Sequence, residues 1–223
     1  MNFSTSSTSR DVFVTGATGY IGRRLTEALL ARGHRVRALV RPESAGRAPA
    51  GATTVVGNAL EASSFAAAVT AADTIVHLVG TPHPSPSKAA EFQRVDLPSI
   101  LATVEAARRA SAAHLVYVSV AHPAPVMHAY IAVRTAGERA IANAGLTATI
   151  LRPWYVLGPG HRWPHLLIPF YAVARLIPSK RESARRLGLV TLPQMVRALV
   201  RAVENPPPAG QTRIVEVPDI QSG

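Results

Sequence analysis

Short apolar runs alternate with segments of helical spacing along most of this chain, and that alternation restricts the fold more than any other feature. Asp11–Thr15, Arg35–Val40, Thr53–Val56, Thr74–Val79, Leu115–Ser119 and Thr147–Leu151 read as six strands. Between them, residues 20–32, 60–72, 89–110 and 128–143 read as helices, and 42–51 as a Pro/Gly loop. Gly33 and Gly145 close two of the helices, and Pro98 predicts a turn or kink inside a third. Strands separated by helices of this length form βαβ units, hence an α/β protein with a parallel sheet covered on both faces. Beyond Pro153 the rhythm loosens. A Trp/His/Pro-rich stretch leads to an apolar helix at 166–177 and a basic patch at Lys180, Arg181, Arg185 and Arg186. A helix at 192–204 and a strand at 212–217 follow. We expect a loose Ser/Thr-rich tail at 1–10 and one domain over 11–223, with 154–223 as a short C-terminal extension on the substrate side.

Composition narrows the function. A chain of 223 residues can form one domain that buries about 70–75% of its unfolded surface. The absence of cysteine excludes a disulfide scaffold, a thiol nucleophile and a Cys-ligated metal. A hydrophobic content of 48% is too high for a disordered chain. No apolar run reaches the ~18 residues of a membrane span. The opening MNFSTSSTSR has neither a basic start nor an apolar core, so it does not read as a secretion signal, and a cytoplasmic protein is expected. The net charge of +11 is almost all arginine, since lysine occurs only at 88 and 180. It points to an anionic partner such as nucleotide phosphates. The arginines are scattered and form no stripe, which argues against nucleic acid. Residues 166–186 have the form of a peripheral contact with an anionic membrane or of a lid with a solvated basic end. His161 and His165 are separated by Pro164 and lack a nearby acid, and no metal site is expected. Composition leaves the oligomeric state open.

The sharpest motif is Val14-Thr15-Gly16-Ala17-Thr18-Gly19-Tyr20-Ile21-Gly22, which ends the first strand and opens the first helix. Gly16 permits the tight turn, Gly19 lets the backbone approach a pyrophosphate, and Gly22 lets the helix pack against the sheet. The helix start supplies N–H groups and a positive dipole end to the anion.

This motif resembles the opening of the short-chain dehydrogenase/reductase superfamily, in its extended and atypical branches. VVGNAL ending the third strand, HLVG at 77–80, YVSV at 117–120, Tyr130-x3-Arg134 and ILRPWYVLGPG from Ile150 extend the resemblance over nearly the whole chain after residue 10. It implies a doubly wound, Rossmann-type sheet that binds a nicotinamide dinucleotide and an unidentified small-molecule substrate. The implied dinucleotide contacts are Gly16, Thr18, Gly19, Tyr20, Ile21, Gly22, Arg41, Asn58, Ala59, Leu78, Val79, Gly80, Tyr130, Arg134, Pro153 and Tyr155. The second strand ends without the acid that bonds a ribose 2′-OH, and Arg41 stands near that place. NADP(H) is therefore expected over NAD(H).

The resemblance also names the reacting groups. Tyr130 is the expected proton donor, with Arg134 where active members carry lysine. Ser119 is the expected carbonyl-orienting hydroxyl, followed by Val120 and Ala121. Guanidinium cannot relay a proton, so two functions stay open. One is hydride transfer to a small apolar carbonyl or quinone-like compound. The other is a non-catalytic redox sensor or assembly protein, as in NmrA-like sensors and the NADPH-binding accessory subunit of respiratory complex I, which the chain also resembles.

Overall fold

A computed structural model describes residues 9–69, 74–158 and 187–222. The glycine turn follows β1 (Asp11–Thr15) and opens α1 (Tyr20–Ala31), then β2 (Arg35–Val40) and β3 (Thr53–Val56). Next come the single turn α2 (Ala66–Val69), β4 (Thr74–His77), α3 (Leu97–Ala110), β5 (His114–Val118), α4 (His128–Asn143) and β6 (Ala148–Arg152). The chain closes with β7 (Tyr155–Leu157), β8 (Leu189–Thr191), α5 (Leu192–Glu204), β9 (Thr212–Glu216) and α6 (Val217–Gln221). Seven strands form one parallel sheet in the order β3-β2-β1-β4-β5-β6-β9, and β7 and β8 form a separate parallel pair.

Each central strand divides its side chains between two cores, as the two-residue period of a strand requires. Val12 and Val14 join Leu25, Leu29, Met195 and Leu199 on the face covered by α1 and α5. Phe13 joins Phe65, Ile100, Leu115 and Ile141 on the opposite face. The chain order reverses between β1 and β4, which opens a crevice at the carboxyl ends of the strands where such sheets take ligands.

The structure departs from the sequence reading in four places. Ser9 and Arg10 are not loose: the Ser9 hydroxyl donates to the Gly33 carbonyl at 2.8 Å, and the Arg10 N–H donates to His34 Nδ1 at 3.2 Å. Within the described part of the helix expected over 60–72, the chain forms a 3₁₀ turn at Ala62–Ser64 followed by α2, because Phe65 leaves the helical region at φ −141° to enter the core; residues 70–73 lie outside the described residues. The helix expected over 89–110 widens into a π-helical turn at Phe92–Asp96, just before Pro98, which has no N–H to continue the α ladder. The residues after 154 do not all form a substrate-side extension. β9 is the seventh strand of the main sheet, α5 lies on α1, and α6 is tied to β8 by Gln221 donating to the Leu189 carbonyl at 2.8 Å. The expected helix at 166–177, the basic patch at 180–186, the histidines at 161 and 165, Trp163, and tail residues 1–8 lie outside the described residues.

Candidate functional site

At the first βα turn, Gly16 takes φ +75°, and Gly19 turns its N–H back to the Gly16 carbonyl at 3.0 Å. A Cβ on Gly22 would stand 2.1 Å from that same carbonyl oxygen, so only glycine lets α1 start this close to the sheet. No side chain caps the start of α1, and no acid occupies its first turn. The turn is thus a backbone cradle at a positive helix end, and it fits a pyrophosphate.

The turn borders a cavity of about 590 Å³. Leu78, Pro82, Val118, Val120, Trp154 and Val156 give it an apolar wall. Tyr130, in the first turn of α4, reaches it with its ring set between two neighbours. The buried Phe92 ring lies 4.9 Å away, centroid to centroid, and the Arg134 guanidinium carbon lies 5.0 Å from the Tyr130 centroid. The four-residue spacing puts Tyr130 and Arg134 on one helix face.

Arg134 is buried, and its charge is matched. Its Nη2 donates to Asp96 Oδ1 at 2.7 Å and its Nη1 to the Val118 carbonyl at 3.1 Å. Asp96, on the π-helical turn, accepts from the Thr81 N–H at 3.0 Å and the Thr81 hydroxyl at 2.6 Å with its other oxygen. Burial works to lower Arg134, but the phenolic oxygens of Tyr130 and Tyr117 and the Asp96 carboxylate outweigh it and hold the guanidinium above its ordinary value. Gly80 makes room for this pair, since a Cβ there would stand 2.2 Å from Arg134 Nη2. Nearby Tyr117 is pushed up to about 12 by burial.

A second ionic group stands behind Ser119. The Ser119 hydroxyl donates to Glu138 Oε1 at 2.5 Å. Arg152 forks onto both Glu138 oxygens, Nε to Oε1 at 3.0 Å and Nη2 to Oε2 at 2.5 Å. Its Nη1 donates to Glu216 Oε1 at 3.0 Å. The bonds to Glu138 raise Arg152 from its ordinary value. His122 Nε2 lies 3.7 Å from Glu138.

The family model described as NAD(P)H-binding matches residues 16–161, which include the glycine turn, Tyr130 and Arg134. The chain belongs to this NAD(P)H-binding family. Curated relatives include a ceramide reductase of Caulobacter vibrioides, 31% identical over 176 residues that make up 78% of this chain and 55% of that protein. A 3-diazoavenalumate denitrifying reductase of Streptomyces sp. is 35% identical over 175 residues, 67% of this chain and 57% of that protein. The chain spans a little over half the length of these relatives. Similar solved structures include the Bordetella bronchiseptica enzyme WbmH in complex with NAD+, at TM-score 0.67 and 23% identity, covering 88% of this chain and 73% of that one. The UDP-N-acetylglucosamine 4-epimerase from Bacillus cereus matches at TM-score 0.68 and 18% identity, over 93% and 79%. At these identities the likeness is one of fold alone, a Rossmann-type α/β fold.

In this NAD(P)H-binding protein, the cavity gathers Gly16, Gly19, Tyr20, Ile21, Gly22, Leu78, Gly80, Ser119, Tyr130, Arg134, Pro153 and Tyr155 from the residues that the sequence singled out. Thr18, Arg41, Asn58, Ala59 and Val79 do not line it. Arg41 is exposed and pairs with Glu43 at 3.1 Å. Asn58 Oδ1 accepts the Leu60 N–H at 3.1 Å, and Ala59 packs on the core. Sequence reasoning missed Asp96 and Glu138. The signal for Glu138 was present, because Tyr130, Arg134 and Glu138 continue one four-residue spacing. Asp96 had only the mark of an acid between apolar residues just before Pro98. Among the described residues, no three His, Asp or Glu side chains gather as a metal site, and no helix is long and apolar enough to cross a membrane.

Proposed function

We propose that this protein is an NADPH-dependent reductase of small apolar carbonyl or quinone-like compounds, with Tyr130 as proton donor. The observation that carries the reading is convergence: the backbone cradle, the Tyr130–Arg134 pair and an apolar wall border one cavity. The reductase names of the curated relatives support it. The dinucleotide, when bound, supplies the hydride. Tyr130 gives its phenolic proton to the carbonyl oxygen as negative charge develops there. Arg134 stays protonated, so it holds positive charge beside the phenol and offers its remaining N–H groups to ribose hydroxyls. The apolar wall orients the substrate body and keeps water from the reacting oxygen.

Preference for NADPH rests on the end of β2. Arg41 stands there in place of an acid, and it opens a 3₁₀ turn, Pro42–Arg47. The far end of that turn meets α1 through Arg23, which donates to the Arg47 carbonyl at 3.2 Å. A guanidinium at the end of β2 suits a 2′-phosphate. A cytoplasmic location belongs to the same reading.

The test is loss of NADPH absorbance across a panel of apolar ketones and quinones. Turnover that falls by a factor of about 10²–10⁴ in Tyr130→Phe supports the reductase. Tight NADPH binding with no oxidation across the panel favours a dinucleotide-sensing or assembly role instead. The observation behind that second reading is Arg134, locked to Asp96 at the place where the resemblance implies a lysine.

A further inference from the structure

We infer that Ser119 faces the cavity as a hydrogen-bond acceptor only, held so by Glu138, and that the site takes substrates with an O–H or N–H donor beside the reacting carbonyl. This inference rests on the reductase reading and narrows its substrate class.

A serine hydroxyl has one proton and two lone pairs. Ser119 lies 2.5 Å from Glu138 Oε1, and both residues are buried. A carboxylate has no proton to give, so the proton in this contact is the serine's and points at Glu138. Glu138 is not free to turn away, because Arg152 grips both of its oxygens and Glu216 holds Arg152 in turn. Hydrogen bonds of this charge-assisted kind are about twice as strong as neutral ones. Lone pairs are then all that Ser119 offers at the cavity wall.

A carbonyl oxygen placed against Ser119 would meet lone pair with lone pair. A hydroxyl or N–H would be received. The reacting oxygen is therefore left to Tyr130, and Ser119 reads the neighbouring substituent. Glu138 is a positioning residue: it acts through Ser119 and touches no substrate. Hydroxy- or amide-bearing apolar carbonyls fit this pattern, and bare quinones do not.

The probes are 1-indanone and 2-hydroxy-2-methyl-1-indanone, titrated calorimetrically into protein saturated with NADP+, a coenzyme form that can neither reduce either ketone nor oxidise the tertiary alcohol. The wild type should bind the hydroxyketone more tightly by about tenfold, the worth of one buried hydrogen bond. Ser119→Ala should erase that ratio. Glu138→Gln, whose amide can donate to Ser119 and free its proton toward the cavity, should shift the ratio toward 1-indanone. A merely structural role would weaken both ligands together and leave the ratio unmoved. If Glu138→Gln fails to fold by circular dichroism, Ser119→Ala decides alone. A ligand-free reading comes from proton NMR: the buried hydroxyl should give a downfield resonance in the wild type that Ser119→Ala removes. An unchanged ratio in Ser119→Ala, or no such resonance in the wild type, overturns the inference. NADPH binding without preference for the hydroxyketone, weak or absent binding included, rejects this inference alone. No heat with NADPH rejects the dinucleotide reading beneath it.

Discussion

The two ends of the cavity are built from different material. At the dinucleotide end, seven consecutive residues, Gly16 to Gly22, present backbone, and most of their specificity lies in where a side chain is absent. At the end proposed to react, Tyr130 and Ser119 are backed by charged side chains drawn together across the chain. Arg134 and Asp96 are 38 residues apart, and Arg152 and Glu216 are 64 apart. The backbone end depends on empty space and on the positive start of α1, with no ionised side chain among its seven residues. The reacting end depends on charge balance, because each buried ion there is stable only while its partner is present.

The comparison can be broken first at the backbone end. Gly22→Val places branched carbon within 2.1 Å of the Gly16 carbonyl and should abolish NADPH binding together with most of the folded yield. Calorimetry and a soluble-expression assay check this, and a folded variant that still binds NADPH would contradict the cradle. At the reacting end, Asp96→Ala leaves Arg134 buried without a counter-charge and Thr81 without its acceptor. Unfolding in urea should show a loss of about 3–5 kcal/mol.

A smaller effect comes from two buried histidines. Burial, then the Arg134 charge, lowers His77 to about 3, and burial, then Arg10 and Arg213, lowers His114 to about 4. Unfolded histidines take up protons near pH 6.5, whereas these two resist until about 3 and 4. Their contribution is complete above pH 6.5 and is lost progressively as pH falls toward those values, since the unfolded state binds more protons throughout that range. The melting temperature should therefore drop by several degrees between pH 7 and pH 5, and less in His77→Asn. The smallest effect sharpens the coenzyme assignment. Arg41→Asp should weaken NADPH about tenfold while sparing NADH, because only NADPH carries the 2′-phosphate. Equal losses for both coenzymes would show that Arg41 does not read the 2′-phosphate.

Legibility follows the same division. β1, β2 and β3 have the bounds that their apolar runs predict, and the glycine turn sits where its spacing places it. These features rest on local backbone preference, which a short window carries. The closing segment was less legible. β9 is exposed along most of its length, and its place as the seventh strand depends on pairing with β6, which its own residues do not specify. The expectation that Ser119 offers its proton to a substrate met a hydroxyl already given to Glu138. The four-residue spacing marks Glu138 on the face of Tyr130 and Arg134, but its contact with Ser119, 19 residues away, is decided by packing.

By itself, then, the amino-acid order determined a parallel α/β sheet, a phosphate-sized turn before α1, and a tyrosine and an arginine on one helical face. It could do so because periodicity and glycine spacing act over a few residues. Only the folded chain decided that Arg134 is neutralised by Asp96, that Gly80 is the gap this pair requires, and that the Ser119 proton points away from the cavity. Those choices belong to burial: charges stripped of water must find partners, and which partners are in reach is set by how distant strands and helices pack.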